Sequence, residues 1–146
     1  MTLALFRDHP RVGIDSNVLI YLLEGSAPEA DAAGALLDAI ASGEADGVLS
    51  ALAIAEVASG PARIGDEAMV RRYADELISL EGVAVVPMDP AVAVEAALIR
   101  GSSRLSMADA IHLASARIAG ASCFVTNDRR ISAISGVTIA YLDELA

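Results

Sequence analysis

Apolar residues fall into two rhythms along this chain. Short unbroken runs of strand length, rich in β-branched residues, occur at Val12–Asp15, Gly47–Leu49, Val83–Pro87, Cys123–Thr126 and near Val137–Tyr141. Between them the apolar positions recur with a helical period, over Asn17–Glu24, Pro28–Ser42, Ala51–Ser59, Asp66–Leu80, Pro90–Arg100 and Ser103–Ala116. Gly25 and Gly43 stand where the first two helices should stop, and Gly60-Pro61 is expected to break the third. Ser50 is placed to cap the helix behind it, and a short turn of helix is expected after Asp128. Strands that are continuous apolar runs, separated by helices, indicate a parallel sheet covered on both faces. Right-handed crossovers make this an α/β fold, a three-layer α/β/α sandwich around a central parallel sheet. Residues 1–146 read as a single domain, with residues 1–11 as an N-terminal arm before the first strand.

The segment "SRLSMADAIHLASA" poses the first chemical question. Its apolar face carries Ile111, Leu113, Ala114 and Ile118, yet Asp109 sits in its first turn. An ordinary account exists: Ser106 caps the helix, and Asp109, three residues on, completes a capping box at the positive end of the dipole. Met107 and Tyr21 read as packing residues.

Composition narrows the class. Hydrophobic residues make up 55% of the chain but aromatic ones only 3%, so Ala, Leu, Ile and Val must build the core. A single cysteine, Cys123, excludes an internal disulfide, and its strand context suggests a small buried side chain in a cytoplasmic protein. The longest charge-free run, Ile131–Leu142, is twelve residues, short of the roughly twenty that a membrane helix needs, and "MTLALF" is too short for a secretory leader. No membrane partner is expected. The formal net charge of -10 argues against a general binder of phosphate backbones. It leaves acids scattered over a solvated surface, or acids gathered where metal ions neutralise them. Every basic residue is arginine, which removes P-loop and Schiff-base lysines and the lysine of a phosphoaspartate receiver.

Four acids do not fit a solvated surface. Asp15 ends the first strand in "VGIDSN", Glu56 interrupts the apolar helix "SALAIAEVAS", Asp109 opens its helix, and Asp128 follows the strand in "CFVTND". Each alone has a bland reading as a turn residue, a paired core carboxylate or a cap. In an open parallel sheet, however, ligands bind beyond the carboxyl ends of the strands, and connectivity lets all four reach that rim. Two carboxylates about 4 Å apart repel by roughly 4 kcal/mol at an effective dielectric near 20, so four ionised together call for cations among them. An all-oxygen cluster favours Mg²⁺ or Mn²⁺ over Zn²⁺. Such ions support in-line attack of water on a phosphodiester.

"GIDSNVLIYLLEG", "LSALAIAEV", "LSMADAIHLASA" and "FVTND" together resemble the PIN domain, and within it the bacterial VapC-type toxins, ribonucleases neutralised by a cognate antitoxin. The segments occur in the family's order and span nearly the whole chain. The resemblance implies that Asp15, Glu56, Asp109 and Asp128 form a catalytic and metal-binding quartet, with Asp15 and Asp109 in direct metal contact. Asn17 and Thr126 match supporting positions. It further implies a metal-dependent endoribonuclease, using Mg²⁺ or Mn²⁺, in which a carboxylate such as Asp128 or Glu56 orients the attacking water. RNA, an antitoxin and a second copy in a homodimer are the implied partners. Arg104, Arg129 and Arg130 are candidates for phosphate contacts, although ordinary surface charge explains them as well. His112, at i+3 from Asp109, reads first as a hydrogen-bonded histidine at the helix–sheet boundary and second as a ligand or base. The main alternative keeps the fold and drops the chemistry, as a PIN-like RNA-binding or regulatory module. A phosphoaspartate receiver lacks its adjacent acids here, and a haloacid-dehalogenase-type phosphatase lacks its second Asp, since Asn17 stands there.

Overall fold

The computed structural model describes residues 3–25 and 28–145. In chain order the elements are α1 (Leu5–Asp8), β1 (Arg11–Ile14), α2 (Ser16–Glu24), α3 (Glu29–Ala41), β2 (Asp46–Ser50), α4 (Ala51–Arg63) and α5 (Glu67–Ile78). They continue with β3 (Val83–Val86), α6 (Pro90–Gly101), α7 (Met107–Ile118), β4 (Cys123–Thr126) and β5 (Thr138–Tyr141), followed by a 3₁₀ turn, Leu142–Glu144. The strands form one parallel sheet in the order β3-β2-β1-β4-β5. The order reverses between β1 and β4. That is the crevice where a parallel sheet binds its ligand.

Strand alternation distributes the core to two faces. Val12 and Ile14 of β1, with Cys123 and Val125 of β4, join Leu19, Leu36, Ile40, Val57 and Leu77 on one side. Phe124 points the other way, into a cluster with Ala96, Ile99, Leu113, Ala114 and Ala116 from α6 and α7. Gly13 is the β1 residue facing that second layer. A Cβ there would lie 2.7 Å from Ala116 Cβ and 2.9 Å from Phe124 Cδ1, so glycine sets how closely α7 packs over the central strand. Because α7 lies this close, its first turn stands beside the end of β1.

Four readings from the pattern need correction. The helix from Ala51 does not stop at Gly60-Pro61 but runs to Arg63. Pro61 removes one donor in the last turn, yet its ring is buried, and the turn is closed by Gly65 N–H to Ala62 O and Asp66 N–H to Pro61 O. The segment from Ser103 becomes helical only at Met107, with Ser106 as its cap. No helical turn follows Asp128; a single turn closes from Ile131 N–H to Asp128 O, because the Asp128 side chain binds Arg130 instead of capping a helix. Ile118 and Met107, expected to pack, are about half exposed, at the two ends of α7. The described residues before β1 pack on the domain: Leu3 and Phe6 are buried in the first core, and His9 Nδ1 lies 2.8 Å from Ser122 Oγ. Among the described residues no helix is long and apolar enough to cross a membrane.

Candidate active site at the sheet switch point

Asp15 is the residue immediately after β1 and the N-cap of α2, so strand, turn and helix together fix its carboxylate. It is 5% exposed. Its Oδ1 accepts the Ser16 N–H at 2.7 Å, while Oδ2 accepts the Thr126 hydroxyl at 2.7 Å and Asn17 Nδ2 at 3.3 Å. Thr126 ends β4, fully buried, and is a hub. Its oxygen donates to Asp15 and accepts from Asn17 Nδ2 at 3.2 Å and from the Asp128 N–H at 3.0 Å. Asn17 returns across the crevice by accepting the Asn127 N–H at 3.3 Å. The ends of β1 and β4 are thereby joined side chain to backbone.

The other acids approach from the helices. Ser50 caps α4 by accepting the Leu52 N–H at 3.2 Å, and Glu56 projects from the middle of that helix. His112, 2% exposed on α7, hydrogen-bonds Glu56 Oε1 through Nε2, and the same nitrogen stands 3.9 Å from Asp15 Oδ1. Ser106 accepts the Asp109 N–H at 3.1 Å, but the Asp109 carboxylate does not return the bond to Ser106. Only half of the capping box forms. Asp109 is instead close enough to Asp15, His112 and Arg130 for its charge to act on each. Asp128 is clamped by Arg130, whose Nε lies 3.0 Å from Oδ1 and whose guanidinium reaches Oδ2 at 2.9 Å.

The electrostatics follow from this arrangement. Burial pushes the Asp15 carboxyl above its ordinary range and the Asp109 charge adds to it, outweighing His112 and the hydrogen bonds from Thr126 and Ser16. Burial alone would lower His112, but its hydrogen bond to Glu56 and the charges of Asp15, Glu56 and Asp109 together raise it. The hydrogen bond from His112 lowers Glu56, and that from Arg130 lowers Asp128. Among the described residues, no three His, Cys, Asp or Glu side chains are grouped tightly enough to hold an ion as they stand. Glu56 and Asp128 are engaged by side chains of the chain itself, His112 and Arg130. Asp15 and Asp109 are different: a buried carboxylate with a raised pKa beside a second negative charge lacks full compensation, and an oxygen-only pair of this kind fits a hard divalent cation.

A family profile for the PIN domain matches residues 12–137. The chain belongs to the PIN domain family. In three dimensions this PIN domain is similar to the VapBC2 complex of Rickettsia felis bound to a promoter DNA fragment, with a TM-score of 0.70 and 14% identity, covering 90% of this chain and 98% of that one. It is similar to FitAcB from Neisseria gonorrhoeae, with a TM-score of 0.66 and 22% identity, over 92% of this chain and 99% of the other. It also resembles VapC20 of Mycobacterium tuberculosis, a sarcin–ricin loop cleaving toxin, with a TM-score of 0.57 and 20% identity, over 77% and 86%. No sequence among the curated proteins matches it. Residues 3–11 lie outside the matched segment, and Leu3 and Phe6 among them pack against it.

The three arginines named as phosphate contacts have separate fates in this PIN domain. Arg130 is at the site. Arg129, next to it, is turned to Asp143 at 2.7 Å and Glu144 at 3.3 Å and stacks 3.9 Å from the centroid of the Tyr141 ring. Arg104 borders a surface cleft between α6, α7 and residues 132–135, in the company of Glu95 and Arg117. It is not among the side chains that contact the acids. Two residues were under-read from sequence. Ser16 is buried against Asp15, with only its place between Asp15 and Asn17 as a signal. His112 joins two of the acids, and its i+3 spacing from Asp109 carried the hint.

The raised and lowered groups give stability a defined pH dependence. For Asp15 and His112 the folded pKa lies above the unfolded one, so their contribution is full below the unfolded value and is lost as pH rises through the folded value. For Glu56 and Asp128 the folded value is the lower, so theirs is present above the unfolded value and is lost as pH falls through the folded one. Thermal unfolding is therefore expected to show its highest Tm near about pH 4.5, where Glu56 and Asp128 contribute in full, with a fall at lower pH and a decline at higher pH that continues above about pH 6.5 as His112 loses its contribution. A Tm that rises steadily from pH 6 to 8 would contradict these assignments.

Proposed function

We propose that this chain is a metal-dependent endoribonuclease that hydrolyses RNA phosphodiester bonds as the toxin of a toxin–antitoxin pair. The observation that carries the reading is the meeting of Asp15, Glu56, Asp109 and Asp128 at the β1–β4 switch point of a PIN domain. Similarity to a toxin–antitoxin complex from Klebsiella pneumoniae, and to a toxin that cleaves the sarcin–ricin loop, supports the toxin role and a structured RNA substrate. Asp15 and Asp109 would hold Mg²⁺ or Mn²⁺, with Asp128 and the His112-bound Glu56 completing the site directly or through water. The ion, when bound, supplies charge for the phosphodiester oxygens and lowers the pKa of water.

The chain's own residues do the rest. Ser16, Asn17 and Thr126 hold Asp15 in one orientation and are the supporting residues. Glu56 or Asp128 orients the water and takes its proton. Arg130, with an 88% exposed side chain, is the cation that an incoming phosphate meets at the acidic crevice. Arg104 lines a separate cleft and Arg129 is paired with Asp143 and Glu144, so neither is assigned the reacting phosphate. A cognate antitoxin, a homodimer and a cytoplasmic setting belong to the same proposal.

The engagement of Glu56 by His112 and of Asp128 by Arg130 favours one alternative, a PIN module that binds RNA without cutting it. Incubation of the purified protein with end-labelled structured RNA separates the two. Discrete products with Mg²⁺, their loss with EDTA and their return on added Mg²⁺ are expected. RNA that is bound but left intact at every Mg²⁺ or Mn²⁺ concentration supports the binding module, and chelator-resistant cleavage overturns the mechanism.

A further inference from the structure

His112 spends its hydrogen-bonding capacity in an unusual way. Its Nδ1 is buried and meets no partner among the described residues, while Nε2 is committed to Glu56. A carboxylate only accepts, so Nε2 carries a proton whether the ring is neutral or charged. The ring itself is fixed: 2% exposed and tilted at 37° to Phe124, with centroids 6.3 Å apart. Glu56 has the opposite character. It reaches out from mid-α4 on a flexible side chain that is 36% exposed, and α4 follows β2 rather than β1. Nothing in its own helix directs it toward Asp15. Two side chains from other helices do: His112 of α7 most strongly, and Ser16 of α2 beside Asp15.

We propose that His112 is a positioning residue, whose Nε2–H holds Glu56 Oε1 beside Asp15 so that the remaining lone pairs of Glu56 face the reacting water. The imidazole itself touches neither substrate nor the attacking oxygen in this scheme. It acts through Glu56, and the role rests on the nuclease reading above. A histidine serving only as core filler would need no particular nitrogen facing a carboxylate, and leucine would replace it.

Two measurements test this. In metal-free protein, long-range ¹H–¹⁵N spectra should show Nε2 protonated, with a proton that resists solvent exchange and loses that protection in Glu56→Ala. A ring protonated only at Nδ1 overturns the proposal without reference to activity. In cleavage assays, His112→Leu should lower kcat by about 10- to 100-fold with KM within about threefold of the parent, the cost typical of losing a group that orients a site ligand. His112→Gln, whose amide N–H falls near the position of Nε2, should recover most of the rate. In the Glu56→Ala background, His112→Leu should cause no further loss, since both changes remove one function. Additive losses, or a His112→Leu enzyme as fast as the parent, overturn the positioning role. Absence of cleavage in the parent overturns the nuclease reading instead, and the spectra then decide whether His112 directs Glu56.

Discussion

Asp15→Asn should reduce RNA cleavage by roughly 10²–10³-fold or more, about 3–4 kcal/mol of lost transition-state stabilisation, because it removes the most deeply placed charge of the crevice while keeping its shape. The fold should survive. Asparagine relieves a buried carboxylate that is already pushed toward protonation. Against that gain, its amide N–H₂ meets the Thr126 hydroxyl and Asn17 Nδ2, both of which donate to Asp15. The two effects oppose each other, so the circular dichroism spectrum should be unchanged and Tm should move by no more than about 4 °C. An Asp15→Asn protein that cleaves RNA at the parental rate would remove Asp15 from the chemistry.

The largest stability effect is expected at Thr126. Thr126→Val preserves volume, so no cavity forms and the cost is that of the hydroxyl alone. Its loss leaves the Asp128 N–H without its acceptor, Asn17 Nδ2 with only its bond to Asp15, and Asp15 without its shortest side-chain donor, at a fully buried position. Unpaired buried polar groups cost about 1–3 kcal/mol each, partly relieved here by the crevice opening to water. We expect a net loss of roughly 2–3 kcal/mol by denaturant titration, and a lower Tm by several degrees. Thr126→Ser, which keeps the hydroxyl, should recover most of it. A valine variant within about 0.5 kcal/mol of the parent would mean that Asn17 and Asp128 find other partners and that Thr126 is no hub.

The sheet was legible because its central strands are buried on both faces and read as unbroken apolar runs, as at Cys123–Thr126, all four of whose residues are buried. The acids were legible because each stood where the local pattern asked for something else: Glu56 on an alanine-rich helix, Asp109 in the first turn of a helix whose cap Ser106 already supplies. Contacts that depend on side-chain choice between distant elements were not. No periodicity tells His112 of α7 to face Glu56 of α4, 56 positions earlier. Nor does spacing reveal that Arg129 turns to the chain's last acids while its neighbour Arg130 turns to Asp128. Pro61 misled for a related reason. Local propensity breaks the helix there, whereas burial of the ring carries it one turn further.

The account turns on whether Asp15 and Asp109 together attract a divalent ion, a charge problem that the fold creates by burying one beside the other. Isothermal titration of the metal-free protein with Mn²⁺ addresses it with no dependence on RNA or antitoxin. The parent should bind Mn²⁺, and Asp109→Asn, with its Ser106 cap intact, should lose at least about tenfold in affinity while unfolding at nearly the parental temperature. Equal Mn²⁺ affinity in the two proteins would contradict the account.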